Sequence, residues 1–146
     1  MADNHSLKGK IALVTGSGRN IGKATALRLA SKGASVAINS RSNEEEAQSV
    51  RDEILGNGGK AISVVGDVGS ESAVDSIFTE IENTLGSVTI LVNNAGLREE
   101  SPTSDMTTEE WRRVLSVNLD GPFYSCRAAI PGMLKEQWGR IINVSG

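Results

Sequence analysis

Cysteine is nearly absent. Cys126 is the only one in 146 residues, so no internal disulfide can form, and the usage suits a reducing cytoplasm. The thiol reads as a small buried group rather than a nucleophile. The single histidine, His5, lies in a polar opening stretch with no second histidine or cysteine to share a metal, so no metal site is expected. No apolar run reaches the length that spans a bilayer, and Met1 to Ser6 is too polar to open a secretory signal. Positive charge is not in excess. Fifteen Lys and Arg against 18 Asp and Glu give a formal net charge of −3, which removes any general attraction to nucleic acid or anionic membrane. Internal repeats, low-complexity tracts and linkers are missing too.

What remains is the composition of one α/β domain, with 38% hydrophobic residues and 16 glycines. Residues 1–9 form a polar lead-in and 10–146 the ordered core. Strand-like and helix-like segments alternate from Ile11 onward. Ile11 to Thr15, Ala34 to Asn39, Ala61 to Val65, Val88 to Val92 and Arg140 to Val144 read as strands. Between them lie a helix through Lys23–Ala30, one capped by Ser42 or Asn43, and one with a stripe of Val74, Ile77, Phe78, Ile81 and Leu85. Thr107 and Glu110 form a capping box for the next helix, Gly121-Pro122 is expected to bend or interrupt it, and Pro131 to kink its continuation. Such alternation predicts a doubly wound parallel sheet with helices on both faces. Right-handed crossovers and a return to the centre after the third strand give the order 3-2-1-4-5.

Ligands of such sheets bind beyond the carboxyl ends of the strands, where the order reverses. After the first strand comes Thr15-Gly16-Ser17-Gly18-Arg19-Asn20-Ile21-Gly22. Strand, glycine-rich turn and helix together make a phosphate site, because the helix N-terminus offers free N–H groups and glycine lets backbone approach a pyrophosphate. A P-loop would need Gly-Lys-Ser/Thr, which is missing, and the strict Rossmann spacing would need glycine at Ile21. Asn20 lies within the glycine-rich turn, and Asn tolerates left-handed angles best after glycine.

The other strand ends are also filled. Asn39-Ser40-Arg41-Ser42 follows the second strand, with no acid before Glu44 to accept from the ribose hydroxyls of NAD. Arg41 and Arg19 with Ser42 favour a 2′-phosphate. At about 1.5–3 kcal/mol per charge-assisted hydrogen bond, two such bonds imply a preference for NADP over NAD of order a hundredfold. Asp67-Val68 follows the third strand, where the carboxylate either accepts from the adenine amino group or caps a turn. Asn93-Asn94-Ala95-Gly96 follows the fourth, with small residues that let the chain pass close to a nicotinamide ribose.

These motifs, together with Asn118 in Val117-Asn118-Leu119 and the run Gly139-Arg140-Ile141-Ile142-Asn143-Val144-Ser145, resemble the classical short-chain dehydrogenases/reductases, 3-oxoacyl thioester reductases in particular. Asn20 stands where that family usually has its middle glycine. The resemblance implies an NAD(P)-dependent oxidoreductase of small-molecule carbonyls or alcohols, working as a homo-oligomer. Gly16, Ser17, Gly18, Arg19, Asn20, Ile21, Gly22, Arg41, Ser42, Asp67, Val68, Asn94, Ala95 and Gly96 would hold the cofactor, with Asn118 as one member of a catalytic Asn-Ser-Tyr-Lys tetrad. The place of the serine is taken by Gly146, and Ser145, one residue early on an extended strand, should face the other way. The Tyr-x-x-x-Lys pair is not in the sequence, since the only tyrosine, Tyr124, is followed at that spacing by Ala128. The C-terminal part of the family fold is thus absent from these residues, which alone are expected to be inactive. The alternative is a dinucleotide-binding module without chemistry. Ile141, Ile142 and Val144 are expected to lie on an exposed apolar edge. The loop Leu97 to Asp105 reads as solvated, and the substrate is not legible.

Overall fold

The computed structural model describes residues 6–145; His5 and Gly146 lie outside the described residues. Five strands, β1 (Ile11–Val14), β2 (Ser35–Ser40), β3 (Lys60–Val65), β4 (Ile90–Asn93) and β5 (Arg140–Asn143), form one sheet in the order β3-β2-β1-β4-β5. Every pairing is parallel. The helices are α1 (Asn20–Ser31), α2 (Glu44–Gly56), α3 (Glu71–Thr84), α4 (Thr108–Leu115) and α5 (Gly121–Lys135).

Alternate strand residues serve the two faces, which is why the strands read as near-continuous apolar runs. Ala12, Val14, Val36 and Ile38 pack with Ala26, Ala47, Val50 and Ile54 of α1 and α2. On the opposite face Leu13, Ala37, Val64 and Leu91 pack with Ile77 and Ile81 of α3 and Ala129 and Met133 of α5. Val74, Ile77 and Ile81 of the α3 stripe are buried, while Phe78 and Leu85 sit at its margin. β5 differs from the rest, with all four residues exposed.

Three helix starts carry side-chain caps. Asn43, not Ser42, caps α2 by accepting from the Glu46 N–H at 3.1 Å. Ser70 caps α3, and Thr107 with Glu110 forms the capping box of α4. α1 has no side-chain cap and no acid in its first turn.

One expectation for the last helical stretch changes. The irregularity falls at Ser116–Asp120, a π-helical segment, rather than at Gly121-Pro122. Pro122 is still its physical cause. It has no N–H to donate, and its ring would meet the carbonyl of residue 118 in a regular helix. A wider turn just upstream, with the Gly121 N–H reaching back to the Ser116 carbonyl, relieves the clash. Pro131 lies inside α5, which continues through it. Pro131 and Arg127, whose carbonyl loses its helical partner, are both exposed, so water can serve that carbonyl.

Candidate dinucleotide cleft

A cleft of about 540 Å³ opens over the carboxyl ends of β1 to β4. It is walled by Gly16, Gly18, Arg19, Asn20, Ile21 and Gly22 on one side. Arg41, Ser42, Asp67, Val68, Asn94, Ala95 and Gly96 line it too, with Asn43 and Glu46 of the α2 start among the remaining residues.

The glycine loop leaves no room for side chains where the backbone must fold on itself. A Cβ on Gly22 would stand 2.4 Å from the Gly16 carbonyl oxygen and 2.6 Å from Asn94 Nδ2. Gly16 has φ +61 and would place a Cβ 3.0 Å from Ala95 Cα. Asn20 takes φ 51, the left-handed angle its position demands. Among the described residues the backbone N–H groups of Gly18 to Gly22 donate to no protein acceptor. They form, with the uncapped start of α1, a concentration of free donors at the positive end of a helix. A diphosphate fits this cradle because the donors are free and face a cleft, and the glycines let the loop fold tightly enough to present them.

Several polar side chains build the loop rather than line it. Thr15 Oγ1 accepts from the N–H groups of Asn94 and Ala95, each at 3.0 Å. Asn94 Nδ2 donates to the carbonyls of Thr15 at 2.9 Å and Gly16 at 3.0 Å. Ser17 is fully buried, and its hydroxyl donates to the Val14 carbonyl at 2.6 Å and accepts from the Asn39 N–H at 3.0 Å. Its own N–H donates to the Asn39 carbonyl. Ser17 therefore stands behind the wall, its polar groups engaged by protein. Asn39, read from the sequence as part of the pocket's polar end, is 1% exposed. Its Oδ1 accepts from the Gly16 N–H at 3.2 Å, and its Nδ2 donates to the Gly66 carbonyl at 3.2 Å. A polar residue inside an apolar strand run was the available signal for this role. Thr15 and Asn39 are thus loop-building residues, a role that sequence reasoning did not assign to either.

Arg19, Arg41 and Ser42 are exposed along the rim of the cleft beyond β2, and neither guanidinium makes an ion pair among the described residues. Asp67 Oδ1 accepts from the Gly69 N–H at 2.8 Å, so one oxygen closes the turn while the residue still lines the cleft. Val68 is buried against Val74 and Val117.

Asn118 sits in the π-helical segment beside the cleft, and both ends of its amide are engaged. Its Oδ1 accepts from the Leu97 N–H and its Nδ2 donates to the Leu97 carbonyl, both at 2.8 Å. It pins the start of the loop after β4. Ser145 is exposed at the end of the described residues. Cys126 is half-buried and receives a weak 3.6 Å contact from Asn93 Nδ2. No group of three metal-ligating side chains occurs among the described residues, and no described helix is long and apolar enough to cross a membrane.

A parallel sheet of this order, with a glycine cradle at its switch point, defines a nucleotide-binding protein of Rossmann-like architecture. The comparisons narrow that class. A family model described as short chain dehydrogenase matches residues 10–146, and the chain belongs to that family of oxidoreductases. It is 39% identical over 140 residues to a 3-oxoacyl-[acyl-carrier-protein] reductase of Synechocystis sp., covering 96% of this chain and 57% of that protein. It is 43% identical over 140 residues to 3beta-hydroxysteroid dehydrogenase 1 of Eggerthella lenta, covering 95% of this chain and 54% of that one. A metagenomic short-chain oxidoreductase solved in complex with NADP superposes with a TM-score of 0.91 at 37% identity, covering 96% of this chain and 63% of that one. The chain spans about half the length of the curated relatives it matches.

Proposed function

We propose that these residues are the cofactor-binding part of an NADP-dependent reductase or dehydrogenase acting on a small carbonyl or alcohol. The observation that carries the reading is the run of free N–H groups from Gly18 to Gly22 at the start of α1, which suits a diphosphate; the glycines let the loop fold against Asn94 so that those groups are presented together. The dinucleotide supplies the hydride. This chain's residues bind and orient it: the glycine cradle takes the diphosphate, and Ala95 and Gly96 leave room at the nicotinamide end. Arg19 and Arg41 meet a 2′-phosphate, which sets NADP ahead of NAD. Asn118 holds the loop after β4 and corresponds to the family's catalytic asparagine. The Tyr-x-x-x-Lys pair that would move the proton is not among the 146 residues, so these residues alone bind without turnover.

Self-association fits the same reading. Leu119, Phe123, Ile130 and Leu134 recur at helical spacing along one exposed face. The single cysteine supports a cytoplasmic setting.

The test is a fluorescence titration with NADPH and NADH, beside an intact-mass measurement and a sedimentation run on the same sample. Saturable binding of NADPH, tighter than that of NADH and reduced in Arg41→Ala, supports the reading. Absence of any dinucleotide binding by folded protein overturns it. Turnover by a chain of 15.4 kDa would overturn the claim that these residues are inactive alone.

A further inference from the structure

The two arginines are not the only charges in the adenosine end. Glu46, in the first turn of α2, lines the same cleft. Its side chain lies across from Gly18, where a Cβ would come 3.0 Å from Glu46 Cβ and 3.2 Å from its Oε2. Glu44 and Glu45 point to solvent, whereas Glu46 is half-buried. Its root is held, because the Glu46 N–H donates to the Asn43 cap. No Lys or Arg pairs with it among the described residues. The end of β2 carries no acid, since Asn39 and Ser40 stand there with their side chains bonded to backbone carbonyls.

We propose that Glu46 is a specificity-determining residue that sets the balance between NADP and NAD in this pocket, acting against Arg19 and Arg41. The assignment rests on the cofactor reading above. A carboxylate on the wall opposite Gly18 repels a 2′-phosphate and accepts from a free ribose 2′-hydroxyl. It thus performs from α2 what an acid at the end of β2 performs in an NAD site. Two guanidiniums attract the extra phosphate and Glu46 resists it, while Asp67, the other carboxylate on the cleft, follows β3 and is tied by one oxygen to the Gly69 N–H. The pocket therefore admits both dinucleotides with a preference smaller than the arginines alone would give. Gly18 is part of the device, because a side chain there would push against Glu46.

Calorimetric titration of the protein with NADP+ and with NAD+, at one salt concentration, tests this in the parent, Glu46→Gln and Glu45→Gln. The second variant removes the same charge one residue away, outside the cleft. The ratio of the NAD to the NADP dissociation constant should rise about tenfold in Glu46→Gln and stay within about twofold in Glu45→Gln. An unchanged ratio in Glu46→Gln, or an equal rise in both variants, overturns the assignment while leaving the cofactor reading intact. If the folded parent binds neither dinucleotide, the cofactor reading falls and this assignment falls with it.

Discussion

β2 and β5 are both short parallel strands rich in branched apolar residues, and both end in asparagine or serine. β2 lies between β3 and β1, and only its first residue is not buried. β5 pairs with β4 alone, and Ile141 and Ile142 are 38% and 45% exposed. The asparagines diverge in the same way. Asn39 ties β2 to the glycine loop and to the turn after β3, whereas Asn143 meets a single side chain, Asn93, at 2.8 Å. A strand's own residues decide that it is a strand, and the elements on its faces decide what it contributes. The β3-β2-β1 side of this sheet is covered by α1, α2 and α3 from within the described residues, and the β5 side is not.

Four measurements press on that contrast. Ile38→Ala, in the covered half, should cost about 2–5 kcal/mol in denaturant unfolding, because Ile38 is fully buried against α1 and α2. Gly22→Ala should cost about 1–3 kcal/mol and abolish NADPH binding in a titration; a variant that still binds at parental affinity would remove the steric argument for the cradle.

Thr107→Ala, on the far side of the cleft, should cost about 1 kcal/mol by loss of the capping box. Glu110 reports on it. The Thr107 backbone N–H, and then its hydroxyl, hold the Glu110 carboxyl below the usual glutamate value. A depressed folded value means that this contribution is complete above the ordinary glutamate range and is lost as pH falls through the lowered value. Carboxyl titration by NMR should show the Glu110 midpoint moving back up in Thr107→Ala. Smallest of all, Ile142→Ala should change stability by less than about 1 kcal/mol. A cost equal to that of Ile38→Ala, growing with protein concentration, would mean that β5 is covered in solution, and the contrast would be lost.

The strand order and helix alternation were legible because the buried strands carry mostly apolar runs and the first four helices start at a cap or a glycine turn. The capping box at Thr107 was equally readable, since it follows from local chemistry, and the left-handed angle at Asn20 agrees with the resemblance, which puts a glycine at that place. The π-helical turn was displaced from its sequence marker because the effect of a proline is felt one turn upstream, at the carbonyl it would strike. In the cleft, Arg41 and Gly22 were named from position. Thr15, Ser17 and Asn39 were not assigned their loop-building roles, because those bonds depend on strands brought together only by the fold. Glu46 reaches the same pocket from a neighbouring helix, a proximity that no spacing in the sequence records.

The amide of Asn94 holds the carbonyl of Gly16 across 78 positions of the chain. The glycine loop is therefore spelled in one place and shaped in another. Thr15 to Gly22 grafted into a foreign strand and helix would carry its letters without its curvature unless the partner after the fourth strand travelled with it. The heritable unit of this site is a pair of distant segments, and an insertion between them is tolerated only as long as it leaves β1 and β4 side by side.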